Sequence, residues 1–451
     1  MDLNGILIRR IYFPLMEIFK GNKIRTYLNY LHETEKMSAE ELKRLQAEKL
    51  KGLLTHCLTR VPAYKEYEFL LDSVENAPFE VLTKLPVLTK KHFSENSELY
   101  FPEGQSKQGL IPNRTGGSTG EPVKFYMDRK TVEYYEAARW RGLSWWDIRP
   151  GDPSVMLWGS PIELSQKQRW SYELKERYLK NRIVISAYDL KESELERHVK
   201  LIEKFQPVYF YGYASALDLF AQMLLDRGIT LQGKFKGVVS TAETLFDFQR
   251  ERIERAFGCK TINEYGARDG GIIAYQCPEG SMHVTAENAV IELLDMDTLQ
   301  PVKQGQSGLV AVTDLNNRVM PRLRYLIGDV AVWQKQPCEC GRPLPVFTEI
   351  KGREDDIFVT TAGTYVHGHY FNHIARNLDG ISKFQIIQKD RQRVHLKIVP
   401  GNNFNEEEIR FFAQKIREVM GNIELTVQYT DKIPAAASGK VRYAVREFPL
   451  R

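Results

Sequence analysis

Between about residues 150 and 265, short apolar runs alternate with amphipathic segments, and this alternation constrains the fold more than any other feature of the chain. The runs 154–159 (SVMLWG), 182–187, 207–212, 236–240 and 261–265 have strand length. Between them, 192–205, 217–227 and 246–257 carry helical spacing. A parallel neighbour can be reached only by a long crossover, so strands separated by helices of this size form parallel βαβ units. The region is therefore expected to be an α/β sheet with helices packed on it.

The flanking regions read differently. Residues 38–60 predict a helix, with Ser38 and Glu41 as a capping box, Leu42, Leu45, Leu53 and Leu54 on one stripe, and Pro62 past its end. From 283 to about 350, short strand candidates at 283–285, 289–294, 308–314 and 330–334 suggest a β-rich subdomain. Farther on, 382–388 and 393–399 pair as a hairpin, 405–420 is helical and 423–430 is a strand. The polar segment 351–356 sits where a linker belongs. A chain of 451 residues holds two or three domains. The expected division is a large N-terminal domain over 1–352 and a small mobile α+β domain over 353–451.

Composition narrows the partners. The 63 basic and 58 acidic residues leave a net charge of +5, too thin for a nucleic-acid binder and compatible with an anionic small molecule. Residues 5–19 are apolar but interrupted by Arg9 and Arg10, and fall short of a membrane span of about 20 residues. Two readings stay open for them: a helix packed on the body, or an interfacial helix in peripheral contact with a membrane. Five cysteines in so long a chain argue against a secreted disulfide framework and for a reducing cytoplasm.

The segment 114–124, RTGGSTGEPVK, gathers three glycines and three hydroxyl residues within six positions. Glycines admit an anion close to backbone N–H groups. The hydroxyls of Thr115, Ser118 and Thr119 add donors, and Lys124 adds charge. The spacing is not that of a Walker loop, and no GxGxxG fingerprint is present.

Four further motifs follow it in order. They are NEYGARD at 263–269, TDLNNR at 313–318 with YLIGD at 325–329, GREDD at 352–356, and SGK at 438–440. Together the five resemble the adenylate-forming superfamily, which includes the acyl-CoA synthetases. The phrases MPRLRYLIGD at 320–329 and CECGRPLP at 338–345 resemble the phenylacetate–CoA ligase branch, in particular its members associated with capsular polysaccharide biosynthesis.

The resemblance implies roles residue by residue. Thr115, Gly116, Gly117, Ser118, Thr119, Gly120 and Lys124 would hold the phosphates of ATP. Tyr265, followed by Gly266, would stack on adenine, and Asp329 would bind the ribose hydroxyls. Arg353 would lie near the ribose or α-phosphate. Asp355 would be the hinge of the C-terminal domain, and Lys440 would reach the α-phosphate and the carboxylate. Asp269 stands where the family carries a Mg²⁺-binding glutamate, and is one methylene shorter. Before it, Arg268 replaces the commoner Thr or Ser and either contacts phosphate or is paired structurally. Glu243 lies in a stretch that borders the adenine pocket, where packing and contact are both open. Tyr211, Tyr213 and Ser215 end a strand, where open α/β sheets bind ligands. They are candidates for the acyl pocket or for the core.

Cys277, His283, Cys338 and Cys340 offer three thiols and an imidazole, a donor set for structural Zn²⁺, with each pair at a turn. Four unrelated residues near turns is the alternative. Three functions follow from the whole reading. The first is activation of a carboxylic acid by Mg-ATP to acyl-AMP with transfer to coenzyme A. The second is transfer to an amine or hydroxyl acceptor in polysaccharide biosynthesis, and the third a catalytically silent nucleotide-binding protein. The branch also points to a homodimer, which the residues leave open.

Overall fold

The computed structural model describes residues 3–114, 123–158, 172–187, 190, 192–231, 233–353, 357–375, 378, 380–401, 403–433 and 442–448. It opens with helical segments. Ala39–Arg60 is a long helix on which the capping box of Ser38 and Glu41 is formed, with Leu42, Leu50, Leu53, Leu54, Cys57 and Leu58 buried. A short hairpin follows, β1 (Ile111–Arg114) and β2 (Lys124–Met127), with Arg114 opposite Lys124. The helix Arg129–Ser144 comes next, its N-terminus capped by Asp128 through Thr131.

The alternating region folds as its pattern requires. β3 (Ser154–Trp158), β4 (Arg182–Ser186), β5 (Tyr209–Tyr213), β6 (Gly237–Thr241) and β7 (Thr261–Ala267) are parallel, in the order β7-β6-β5-β3-β4. Side chains on a strand alternate between faces, and both faces here are covered. Val155, Leu157, Phe210 and Val238 meet the helices Leu195–Phe205, Ala214–Asp226 and Asp247–Phe257. Tyr209, Tyr211, Val239 and Ile262 meet Leu31, Ala137, Ala138 and Leu143 from the helices Ile24–Thr34 and Arg129–Ser144. A sheet sandwiched this way reads as nearly continuous apolar runs.

The β-rich stretch does not close on itself. β8 (Gly271–Gln276), β9 (Met282–Val284), β10 (Ala289–Leu294), β11 (Ser307–Asp314), β12 (Tyr325–Trp333) and β13 (Val346–Arg353) are antiparallel and continue the ladder from β7. One sheet of eleven strands results, in the order β10-β11-β12-β13-β9-β8-β7-β6-β5-β3-β4. The expected linker also begins later than its composition suggests. Lys351, Gly352 and Arg353 lie in β13, where Asp329 stands opposite Arg353 and their backbones extend the ladder. Backbone pairing outweighs polar composition here.

The C-terminal part has its own core. β14 (Ile357–Val359) pairs with β15 (Tyr365–His367). β16 (Ile381–Gln388), β17 (Arg393–Pro400), β18 (Glu424–Tyr429) and β19 (Ala444–Arg446) make a sheet in the order β18-β17-β16-β19. The helix Glu406–Met420, capped by Asn405, lays Ile409, Phe412 and Ile416 on Phe384, Ile386, Leu396 and Ile398. Phe246 of the large domain meets Tyr443 edge-on, ring centroids 5.8 Å apart.

Candidate functional site

Near the carboxyl end of β7, two of the sequence candidates converge on a third. Tyr265 donates its hydroxyl to Asp329 Oδ2 at 2.9 Å. Arg353 Nη1 donates to Asp329 Oδ1 at 3.1 Å. Three strands thus converge on one carboxylate, Tyr265 from β7, Asp329 from β12 and Arg353 from β13. Gly328 permits the approach, because its φ is +80° and a Cβ there would lie 3.0 Å from the Arg353 guanidinium. Burial, and then the Asp329 carboxylate, hold the Tyr265 hydroxyl well above the ordinary tyrosine range, so it remains a donor.

Asp269 occupies the turn between β7 and β8. It is buried, and its Oδ2 accepts the Tyr325 hydroxyl at 2.8 Å. Arg268 beside it is exposed, and its backbone carbonyl accepts from Asn113 Nδ2 at 3.3 Å. That bond joins the turn to β1, whose far end leads into the glycine-rich segment. Thr115, Gly116, Gly117, Ser118, Thr119 and Gly120 lie outside the described residues, as do Asp355 and Lys440. Lys124 is exposed at the start of β2. Gly266 is a point of close backbone approach: a Cβ there would lie 2.7 Å from the Gly271 carbonyl oxygen.

The remaining candidates are held by the fold itself. Tyr211 donates to the buried Glu264 at 2.6 Å, and Glu264 also accepts from Thr241 and Arg139. Tyr213 stacks on Trp158 with ring centroids 4.2 Å apart. Glu243 accepts the Ser215 backbone N–H at 2.7 Å, capping the first turn of the helix Ala214–Asp226. Tyr211 and Tyr213 are buried, with the Tyr211 hydroxyl committed to Glu264.

Sequence reasoning missed Tyr135 and Arg322. Tyr135, on the unforeseen helix Arg129–Ser144, donates to Asp314. Arg322 is buried, lies 3.7 Å from Asp314 and 4.9 Å from the Phe125 ring centroid, and its three guanidinium nitrogens have no hydrogen-bond partner. Asp128 before residues 129–141, which contain neither Gly nor Pro, was the available signal for that helix. Arg322 lies within the phrase MPRLRYLIGD, from which no role was drawn for it.

A second group lies on the antiparallel side of the sheet. The ligand atoms of Cys277, His283, Cys338 and Cys340 are all within 4.8 Å of one another. Cys277 and Cys338 bring their sulfurs to 3.7 Å, and Cys340 Sγ is 3.1 Å from His283 Nε2. Cys277 and His283 flank the turn between β8 and β9, and the other two occupy the turn before β13. Burial, with Arg342 nearby, pushes the His283 imidazole down to about 4, so the ring is neutral and its nitrogen free to ligate. Three thiols and an imidazole converging at this distance without a disulfide fit a tetrahedral zinc ion. Trp145 packs edge-on against His283, ring centroids 5.6 Å apart.

The chain resembles known proteins along most of its length. Residues 358–447 match the CapK C-terminal domain. Protein CapK of Staphylococcus aureus is 26% identical over 377 residues, 81% of this chain and 80% of that protein. The phenylacetate-coenzyme A ligase of Thermus thermophilus is 26% identical over 349 residues, 73% of this chain and 74% of that one. Among solved structures, 2-hydroxyisobutyryl-CoA ligase in the postadenylation state, in complex with R3-HIB-AMP, superposes with a TM-score of 0.72. It is 19% identical and covers 92% of this chain and 91% of its own. The chain is therefore similar to CapK and to phenylacetate-coenzyme A ligase over most of its length, matches the CapK C-terminal domain over residues 358–447, and shares the fold of 2-hydroxyisobutyryl-CoA ligase.

Proposed function

We propose that the protein activates a carboxylic acid with Mg-ATP, releasing pyrophosphate and forming acyl-AMP, and then passes the acyl group to coenzyme A. The observation that carries this reading is the convergence of Tyr265, Asp329 and Arg353 beside the turn bearing Asp269. A carboxylate fixed by two donors on its own protein can accept the two ribose hydroxyls without reorganising. The Tyr265 ring, at the carboxyl end of a parallel strand, is where an adenine would stack. Thr115 to Gly120 and Lys124 would receive the phosphates, and Arg353 the α-phosphate side of the ribose.

Asp269 fits a magnesium ion, being a buried carboxylate with one oxygen anchored by Tyr325. When bound, the ion offsets charge on the phosphates. The acid attacks the α-phosphorus through its carboxylate oxygen, and the bond to pyrophosphate breaks. Lys440 would approach both anions during this step, and rotation about Asp355 would then withdraw it and admit the acceptor. Glu243 and Ser215 brace the neighbouring strand ends. Cys277, His283, Cys338 and Cys340 would hold a structural zinc ion that ties the β8–β9 turn to the approach to β13. A cytoplasmic setting accords with five unpaired cysteines.

A second reading keeps the adenylation step and changes the acceptor to an amine or hydroxyl, the alternative that goes with the resemblance to the polysaccharide-associated branch. The test of both is pyrophosphate release from Mg-ATP against a panel of aryl, fatty and hydroxy acids, with hydroxylamine to trap acyl-AMP. Acid-dependent release abolished by Lys440→Ala supports adenylation, and adding coenzyme A, amines or sugars then separates the acceptors. Failure to bind ATP at all would refute the proposal.

A further inference from the structure

Residues 3–20 form one helical rod, built of Leu3–Leu7, a single π turn at Ile8–Tyr12, and Phe13–Lys20. One side is fixed to the large domain. Gly5 and Ile8 are buried against Gly151, where an added Cβ would lie 2.6 Å from the Gly5 carbonyl oxygen. Asn4 donates to Asn181 at 3.1 Å, and Arg9 bonds Asp152 at 2.6 Å. The rod is therefore held in place and presents its opposite side outward.

That opposite side is apolar. Leu3, Leu7, Ile11, Leu15, Ile18 and Phe19 are exposed, Ile18 by 72% and Phe19 by 83%. Spacing by four drifts around an α-helix by about 40° per step, or about 120° from Leu3 to Leu15. The π turn absorbs one extra residue and reverses about 100° of that drift, which draws Leu3 and Leu15 back onto one line. An exposed stripe kept straight in this way is matched to a planar partner.

Charge selects the partner. Residues 3–32 contain five basic side chains and one acid. The acid, Glu17, is buried and bound by Arg25, so it presents no negative charge outward. Arg10, Lys20 and Lys23 are exposed. A second copy docked face to face would bring these cations together, whereas an anionic surface would complement them. No helix among the described residues is long and apolar enough to cross a membrane.

We propose that the rod 3–20 docks the protein onto the surface of a bilayer containing anionic lipid, with Leu3, Leu7, Ile11, Leu15, Ile18 and Phe19 entering the interface and Arg10, Lys20 and Lys23 meeting the headgroups. The docking is peripheral and reversible. It goes beyond the proposed ligase activity and does not depend on it.

The test is co-sedimentation of the full-length protein with phosphatidylcholine vesicles, with and without phosphatidylglycerol. Binding is expected with phosphatidylglycerol, and should weaken at least about tenfold in Ile18→Glu/Phe19→Glu, whose exposed sites leave the melting temperature unchanged. Arg10→Glu/Lys20→Glu should weaken it as well, and so should added salt. Absence of binding to either vesicle overturns the proposal, as does undiminished binding by Ile18→Glu/Phe19→Glu. Equal binding to both vesicle types overturns the role assigned to charge. A dimer dissolved by Ile18→Glu/Phe19→Glu, without vesicle binding, would assign the face to a second copy and overturn the membrane assignment.

Discussion

Replacing Asp329 tests the proposed nucleotide site most directly, because two substitutions separate its two tasks. Asp329 accepts from Tyr265 and Arg353 on different oxygens and, in the proposed function, from the ribose hydroxyls. Asp329→Asn keeps one acceptor oxygen, so Tyr265 retains its partner, but it removes the charge, the ion pair with the partly exposed Arg353 and one ribose contact. A hydrogen bond to a charged group contributes about 1.5–3 kcal/mol, and each 1.4 kcal/mol is tenfold in affinity. The KM for ATP in pyrophosphate exchange should therefore rise by about 10- to 150-fold, with little change in melting temperature. Asp329→Ala removes both tasks. It leaves the half-buried Tyr265 hydroxyl without its partner, at a cost of up to about 1–3 kcal/mol, and the melting temperature should fall by several degrees. A control uses 2′-deoxy-ATP: the parent should discriminate against it, and Asp329→Ala should not. If Asp329→Asn keeps the KM for ATP within about twofold of the parent, the ribose assignment is wrong and Asp329 serves only to anchor Tyr265 and Arg353.

Other outcomes are equally specific. Elemental analysis should find one zinc ion per chain in the parent and none in Cys338→Ser, which should melt on the order of 5 °C lower. Equal metal content would refute the zinc assignment. Gly271→Ala should destabilise the fold by about 1–3 kcal/mol and lower kcat, because the added methyl would lie 2.3 Å from the Tyr135 ring at a φ of +71°. A thermal melt and a rate measurement check both effects. Burial pushes the Asp218 carboxyl up from 3.8 to about 6, against the opposing pull of Arg252. This group's contribution to stability is fully present below pH 3.8 and is lost as pH rises through 6. Asp218→Asn should flatten that fall in a series of melts from acid to neutral pH, and an unchanged slope would place the titration elsewhere.

Much of the fold was legible because its periods are local. The strand–helix alternation from 154 to 267 declares a parallel sheet, since its strands are apolar on both faces and its helices on one. The helix Ala39–Arg60 announced itself by its cap. The helix Arg129–Ser144 did not, because its buried positions include the polar Thr131, Glu133 and Arg141, which break the apolar stripe. Arg141 pairs with Glu287, distant in sequence, at 2.6 Å. The linker reading at 351–353 failed for the same reason, since the pairing of Arg353 with Asp329 is a long-range fact.

Local spacing in the sequence carried the strand–helix alternation of 154–267, the helix at 39–60 and the chemistry on offer: a glycine-rich segment, the Tyr265 and Asp329 motifs, and three thiols with an imidazole. Those follow from spacing within a few residues, where backbone geometry fixes what each side chain can do. Only the tertiary structure decided that Tyr265, Asp329 and Arg353 share one carboxylate, and that the cysteine–histidine group closes to within 4.8 Å. It also decided that the side of residues 3–20 facing away from the body is left uncovered. Such juxtapositions depend on which strands become neighbours in one eleven-stranded sheet, and residues remote in sequence carry no local trace of that choice.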